Sequence, residues 1–235
     1  MKNLFILAAF VLALQTVTAQ KTIEKNINHT NQVIDLDVKF AHKIVVKTWN
    51  KSTVYFKAEL STEGGKYLDL YELDVKEDNN YINIVSDPTA LFKAYRAEWK
   101  NSNKKSYNGY YHQEYEFNYV LYVPTDATFN VSSINGSLTA DVIDGDFTAD
   151  LINGDIDIKK YSGNMELKTI NGEIDLVMAN SHMVAETIHG NIYADEKLTL
   201  KVTDRHVGQK VEGSFENAAY KLRLNTINGN MYLRK

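Results

Sequence analysis

The sequence predicts an all-β protein whose second half coils as a β-solenoid and whose first half is a β-structure that caps it. Two periods and one alternation predict this. Gly136, Gly145, Gly154, Gly163 and Gly172 stand nine residues apart, Ser181 keeps the phase and Gly190 resumes it. Self-similarity at a fixed period marks stacked units. After each glycine, apolar and polar residues alternate, with Leu138, Ala140 and Val142, then Phe147, Ala149 and Leu151, then Ile174, Leu176 and Met178 at positions two, four and six. Such alternation is the mark of a half-buried strand. A second period of eighteen sets Ile134-Asn135-Gly136, Ile152-Asn153-Gly154, Ile170-Asn171-Gly172 and Ile188-His189-Gly190 apart from the interleaved Ile143-Asp144-Gly145, Tyr161-Ser162-Gly163 and Ala179-Asn180-Ser181. An antiparallel meander needs only the shorter period. The longer one favours two-strand coils whose like positions stack about 4.8 Å apart.

In chain order, the first segment is an address. Lys2 precedes an apolar run from Leu4 to Leu14, and Val17-Thr18-Ala19 supplies a small-residue ending, so residues 1–19 read as a signal peptide cut after Ala19. No later segment approaches the ~18 consecutive apolar residues of a membrane span, which predicts a mature chain without a transmembrane segment. Residues 20–125 form the capping region. Its strands are expected at 33–40, 43–49, 52–60, 68–76, 80–85 and 115–123, with turns at Asn50-Lys51, Gly64-Gly65 and Asp78-Asn79-Asn80. An insertion at 88–113 interrupts the alternation. There Leu91, Phe92, Tyr95 and Trp99 have helical spacing, with Arg96 and four lysines beside them and Tyr107, Tyr110 and Tyr111 after. Residues 126–235 are the repeat solenoid, continuous with the cap. Within it residues 196–218 are a distorted turn or small excursion, and 219–235, with a last Thr226-Ile227-Asn228-Gly229, the closing turn. The glycines are expected to supply positive φ in tight turns, and there asparagine would be tolerated.

Composition narrows the chemistry. The absence of cysteine removes disulfides, thiolate metal sites, thiol nucleophiles and attachment of lipid through an N-terminal cysteine. The 26 basic and 30 acidic residues intermingle, and losing Lys2 with the leader leaves 25 against 30, a net charge of −5 with no footprint for nucleic acid. There is no Gly-x-Ser-x-Gly, no His-Glu-x-x-His and no phosphate-binding Gly-x-x-x-x-Gly-Lys-Ser/Thr, and the six histidines are scattered. No catalytic residue and no cofactor is expected.

Two sets of residues remain as candidate sites. Tyr95, Arg96, Trp99, Tyr107, Tyr110 and Tyr111 in the insertion have the composition of a partner surface, because rigid rings beside arginine bury large area at low entropic cost. The plainer alternative is that Leu91, Tyr95 and Trp99 seal the end of the solenoid while the cations stay in water. Asp155, Asp157, Glu173 and Asp175 lie at outward positions one and three of like turns, so a solenoid gathers four acids into a rectangle that could hold calcium or stand solvated near Lys159, Lys160 and Lys168. The repeat differs from calcium-binding nonapeptides, having one glycine per unit followed by no constant aspartate.

The strand Tyr119 to Val123, Pro124, Val131-Ser132-Ser133-Ile134-Asn135-Gly136 and the turns Asn153-Gly154-Asp155-Ile156 and Asn171-Gly172-Glu173-Ile174 resemble the "putative adhesin" family of bacterial envelope proteins. The resemblance covers residues 115–235 and, more loosely, the first half. It implies a signal peptide, a single-stranded right-handed β-helix-like body and no established catalytic residues. The expected function is therefore non-enzymatic, adhesin-like binding of an envelope protein or glycan by a secreted, periplasmic or cell-surface chain. The alternatives are a structural envelope scaffold and a carbohydrate-active enzyme built on a β-helix.

Overall fold

The computed structural model describes residues 20–101, 114–204, 206–215 and 217–235. The predicted leader (1–19) and Tyr107, Tyr110 and Tyr111 lie outside the described residues. The fold is all-β, one mixed sheet of nineteen strands and a single α-helix among the described residues. The alternating segments become strands because each can bury one face. The burial pattern of β4 (Thr53–Thr62) runs intermediate, buried, intermediate, buried, and β2 (Val33–Val38), β6 (Tyr81–Asp87) and β7 (Tyr115–Pro124) keep the same rhythm.

Pairing arranges the strands in two rows. In the first, β5 (Glu72–Glu77), β6, β2, the start of β8 (Ala127–Ala140), β9 (Ile143–Asn153) and β12 (Met165–Asn171) are consecutive neighbours. In the second, β1 (Gln20–Asn28), β4, β7, β3 (Phe40–Trp49), the end of β8, β10 (Ile156–Ile158) and β13 (Ile174–Val177) follow one another. Parallel partners in the repeats are offset by eighteen residues: Phe147↔Met165, Leu138↔Ile156 and Ile156↔Ile174. The buried sides of both rows share one core cluster, in which the rings of Phe129 and Phe147 stack at 4.6 Å.

The order then departs from the sequence. β12 does not pair with β14 (Ser181–Thr187). Between them lies β18 (Tyr220–Asn228), which pairs with β12 as Met165↔Leu222 and with β14 as Met183↔Leu222. In the second row β19 (Met231–Arg234) likewise separates β13 from β15 (Ile192–Ala194). Residues 219–235 are thus an interior layer rather than the closing turn. The far end of the first row is the excursion itself, a hairpin of β16 (Leu200–Asp204) and β17 (Gln209–Ser214) lying antiparallel on β14. Among the described residues β11 (Tyr161–Ser162) pairs with the start of β9, Tyr161 opposite Ile143.

Gly154 and Gly172 owe their identity to stacking and not to the predicted positive φ. A Cβ on Gly172 would lie 2.0 Å from the Gly154 carbonyl oxygen, and one on Gly154 would lie 2.1 Å from that of Gly136, while φ at neither is positive. The asparagines before them form a ladder instead of turning the chain. Asn153 Nδ2 donates to Asn135 Oδ1 at 3.0 Å, Asn171 to Asn153 at 2.8 Å and Asn228 to Asn171 at 2.8 Å. Beside it, Thr169, Thr226 and Thr187 are buried and donate to the carbonyls of Gly154, Gly172 and Gly229 at 2.8, 3.1 and 3.1 Å.

β1 was not among the expected strands. It is an edge strand with Ile27 as its one buried residue, so its alternation is too weak to read. The helix α1 (Thr89–Asn101) was expected; the Asp87 carboxylate accepts the Thr89 N–H at 2.9 Å at its start.

Candidate functional site

The helix places the insertion residues differently from one another. Leu91, Phe92 and Tyr95 are the buried stripe of α1, with Phe92 edge-on to Phe40 at 4.9 Å. Tyr95 is 2% exposed, packs edge-on to Tyr67 at 4.9 Å, and donates its hydroxyl to the Glu63 and Lys66 carbonyls, each at 3.2 Å. Burial raises its pKa above the ordinary phenol value. Tyr95 is therefore a buried packing side chain and not a surface ring. Arg96 is exposed and Trp99 half-buried, both further along the same helix.

The acidic quartet is brought together as its spacing predicts, with Asp157 in register with Asp175 on neighbouring strands. Each acid has protein partners. Asp155 accepts the Glu173 N–H at 2.8 Å, and Asp157 takes Lys159 Nζ at 2.6 and 2.7 Å. Glu173 accepts from Asn230 Nδ2 at 3.0 Å and the Tyr232 hydroxyl at 3.3 Å, and Asp175 takes Arg234 Nε at 2.7 Å. Among the described residues no group of three or more His, Asp or Glu is arranged to hold a metal ion.

The feature that sequence reasoning passed over is on the outer side of the first row. In the Ile-Asn-Gly triplets the asparagine enters the ladder and the isoleucine points outward, as it does in Ile188-His189-Gly190. Ile152, Ile170, Ile227 and Ile188 are 37, 38, 38 and 45% exposed, and Ile134 is half-buried at the head of the column. Register makes them neighbours. Ile134 and Ile152 lie between the pairs Ser133↔Leu151 and Asn135↔Asn153, Ile170 and Ile227 lie between Thr169↔Thr226 and Asn171↔Asn228, and the His189 N–H donates to the Ile227 carbonyl at 2.7 Å. Val207, 60% exposed, stands at the end of the column. The signal was available in parity: Leu167 and Thr169 face inward, so Ile170 must face outward.

Two concavities share this outer face. One of about 320 Å³ is lined by the isoleucines Ile170, Ile188 and Ile227 with Lys168, Glu186 and Val207. The other, of about 640 Å³, runs over Thr148, Asn164, Glu166, His182, Lys221 and Arg223. Charges of both signs flank the column, with Lys168 paired to Glu166 at 2.7 Å and Lys210 to Glu212 at 2.6 Å. Chemically the face offers apolar area in a polar frame, the composition of a binding surface. No helix among the described residues is long and apolar enough to cross a membrane.

No family model matches the chain, and no curated protein matches its sequence. Solved structures do match. One is described as a putative cell adhesion protein from Clostridium sporogenes, with a TM-score of 0.57 and 12% identity over 92% of this chain and 99% of that one. The shared property is the fold. Two others, a putative lipid binding protein from Parabacteroides distasonis (TM-score 0.35, 11% identity, 92% and 97% covered) and a putative adhesin from Bacteroides fragilis (0.32, 8%, 91% and 97%), lie too far away to carry an argument.

Proposed function

We propose that this chain is an exported, non-enzymatic binding protein of adhesin type, a β-solenoid that presents its outer face to a protein or glycan of the cell envelope. The eighteen-residue register, the asparagine ladder and the glycine column support reading each repeat as one coil. The leader-like residues 1–19 support export to the periplasm or cell surface. The observation that carries the functional reading is the exposed isoleucine column. A soluble repeat protein places polar residues on its outer columns, and an aliphatic ladder left in water marks a contact surface. Arg96 and Trp99 on α1, a helix anchored by the buried Tyr95, are a second candidate contact, to which the sequence adds Tyr107, Tyr110 and Tyr111.

The test is saturable binding of the chain from Gln20 onward to an envelope fraction and to an array of envelope glycans. Ile227→Asp is expected to weaken binding by more than about 1 kcal/mol with an unchanged melting temperature. A scaffold would show no saturable binding. An enzyme would turn over an arrayed glycan and lose that activity when one acid is removed. Either result would replace the reading.

A further inference from the structure

The row of side chains beside the isoleucine column carries an order of charge. In spatial sequence it reads Asp150, Lys168, Asn225, Glu186, Lys210, each in register with the next. The signs are negative, positive, neutral, negative, positive, so inversion about Asn225 places each charge opposite its counter-charge. We propose that the isoleucine column is the seam of a homodimer, in which a second copy of this chain packs its own column face to face about a two-fold axis running along β18.

Such an axis keeps each column over itself and reverses the layers, which is the geometry of an isologous contact. Ile227 then meets Ile227 of the second copy, and Ile170 meets Ile188 of the second copy. Lys168 comes opposite Glu186 of the second copy, and Asp150 opposite Lys210. The charge row selects this register against its neighbours. With the axis between β12 and β18, Asp150 would face Glu186; with it between β18 and β14, Lys168 would face Lys210. Axes along β12 or β14 would set Lys168 or Glu186 against itself.

The ion pairs these side chains make within the chain, Lys168 with Glu166, Lys210 with Glu212 and, at 3.9 Å, Lys210 with Glu186, join part-exposed groups, and such pairs rearrange at small cost. The next outward row contains Arg223, which would face itself, so the contact is confined to the isoleucine side of the face. Five layers at about 4.8 Å and two or three outward rows about 7 Å apart give roughly 400 Å² per copy. That is about half of a standard interface of roughly 800 Å² per partner, so the dimer is weak and reversible. The inference rests on the outer face being the binding surface and names its partner.

Sedimentation of the chain from Gln20 to Lys235, over about 1 to 200 µM, tests it. A concentration-dependent monomer–dimer equilibrium is expected, weakened about tenfold or more by Ile227→Asp. Lys168→Glu and Glu186→Lys should each weaken it, and the two together should restore it, an outcome that only a self-complementary row gives. Circular dichroism and melting temperature confirm that each variant is folded. A chain that stays monomeric throughout the range, or a dimer indifferent to Ile227→Asp, overturns the proposal. A monomer that still binds an envelope component through Ile227 overturns self-association alone and leaves the binding reading standing.

Discussion

Replacing Gly172 by alanine tests the stacking account of the repeat. The added Cβ would stand 2.0 Å from the Gly154 carbonyl oxygen, 2.6 Å from its carbon and 2.9 Å from Thr169 Oγ1. An ordinary contact there is about 3.3 Å, so the two layers must separate locally by roughly 1.3 Å, and the groups in the way are a backbone carbonyl and a bonded hydroxyl. Separation stretches the Thr169 bond to that carbonyl and the Asn171 bond to Asn153, both 2.8 Å long. Overpacking of about 1–3 kcal/mol with one or two weakened hydrogen bonds of about 1 kcal/mol each gives roughly 2–5 kcal/mol. In a chain of this size that lowers the melting temperature by about 4 to 20 °C, read by thermal and urea denaturation. Gly64 is the control, because it has φ of 63° and a Cβ there would meet nothing nearer than 4.0 Å. Asparagine should be mild at Gly64 and as damaging as alanine at Gly172. A Gly172→Ala protein within about 1 kcal/mol of the original, or a Gly172→Asn protein that is well tolerated, would refute the reasoning.

Deleting residues 219–235 should abolish cooperative unfolding, since β18 and β19 fill the layer between β12–β13 and β14–β15; mere fraying, seen as a small loss of strand signal, would contradict that placement. Leu167→Ala should cost about 2–5 kcal/mol and its neighbour Lys168→Ala less than about 0.5, measured by urea denaturation. Burial raises the pKa of Tyr119 far above its ordinary 10.0, and those of Tyr71 and Tyr161 also rise. The folded state then holds these protons more tightly, so their stability is fully present below pH about 10 and declines as pH rises above it. Tyr119→Phe should flatten part of that alkaline loss in a series of melting curves. Because Asp155, Asp157, Glu173 and Asp175 all have partners in the chain, millimolar calcium should leave the melting temperature unchanged, and a rise of several degrees would show that the quartet binds the ion.

Much of the architecture was legible because strands leave a local mark. Alternation located β2, β4, β6 and β7 and the repeats to within a few residues, and the helical spacing of Leu91, Tyr95 and Trp99 located α1. The four acids were brought together by the same arithmetic. Strand β1 was missed for want of a buried face, and the isoleucine column was missed because attention to the glycine hid the parity of the residue before it. Tyr95 shows the limit for a site: helical spacing says that a ring shares a stripe with Leu91, but whether the stripe faces Phe40 and Tyr67 or water depends on strands far away in the chain.

The repeat, its two periods and the apolar faces follow from the sequence alone, since each depends on residues within one or two strands. Which layer lies on which does not. The triplets at 134, 152, 170, 188 and 227 present nearly the same glycine, asparagine or histidine and isoleucine to their neighbours, so local chemistry allows several stackings of almost equal merit. The folded chain selects one, in which the hairpin of β16 and β17 caps β14 and returns the C-terminus into the gap beside β12. That choice turns on contacts between residues 39 and 57 positions apart, Met183 and Met165 with Leu222, which no local pattern encodes. It also completes the outer face, because Ile227 enters the column between Ile170 and Ile188 only when its strand lies there.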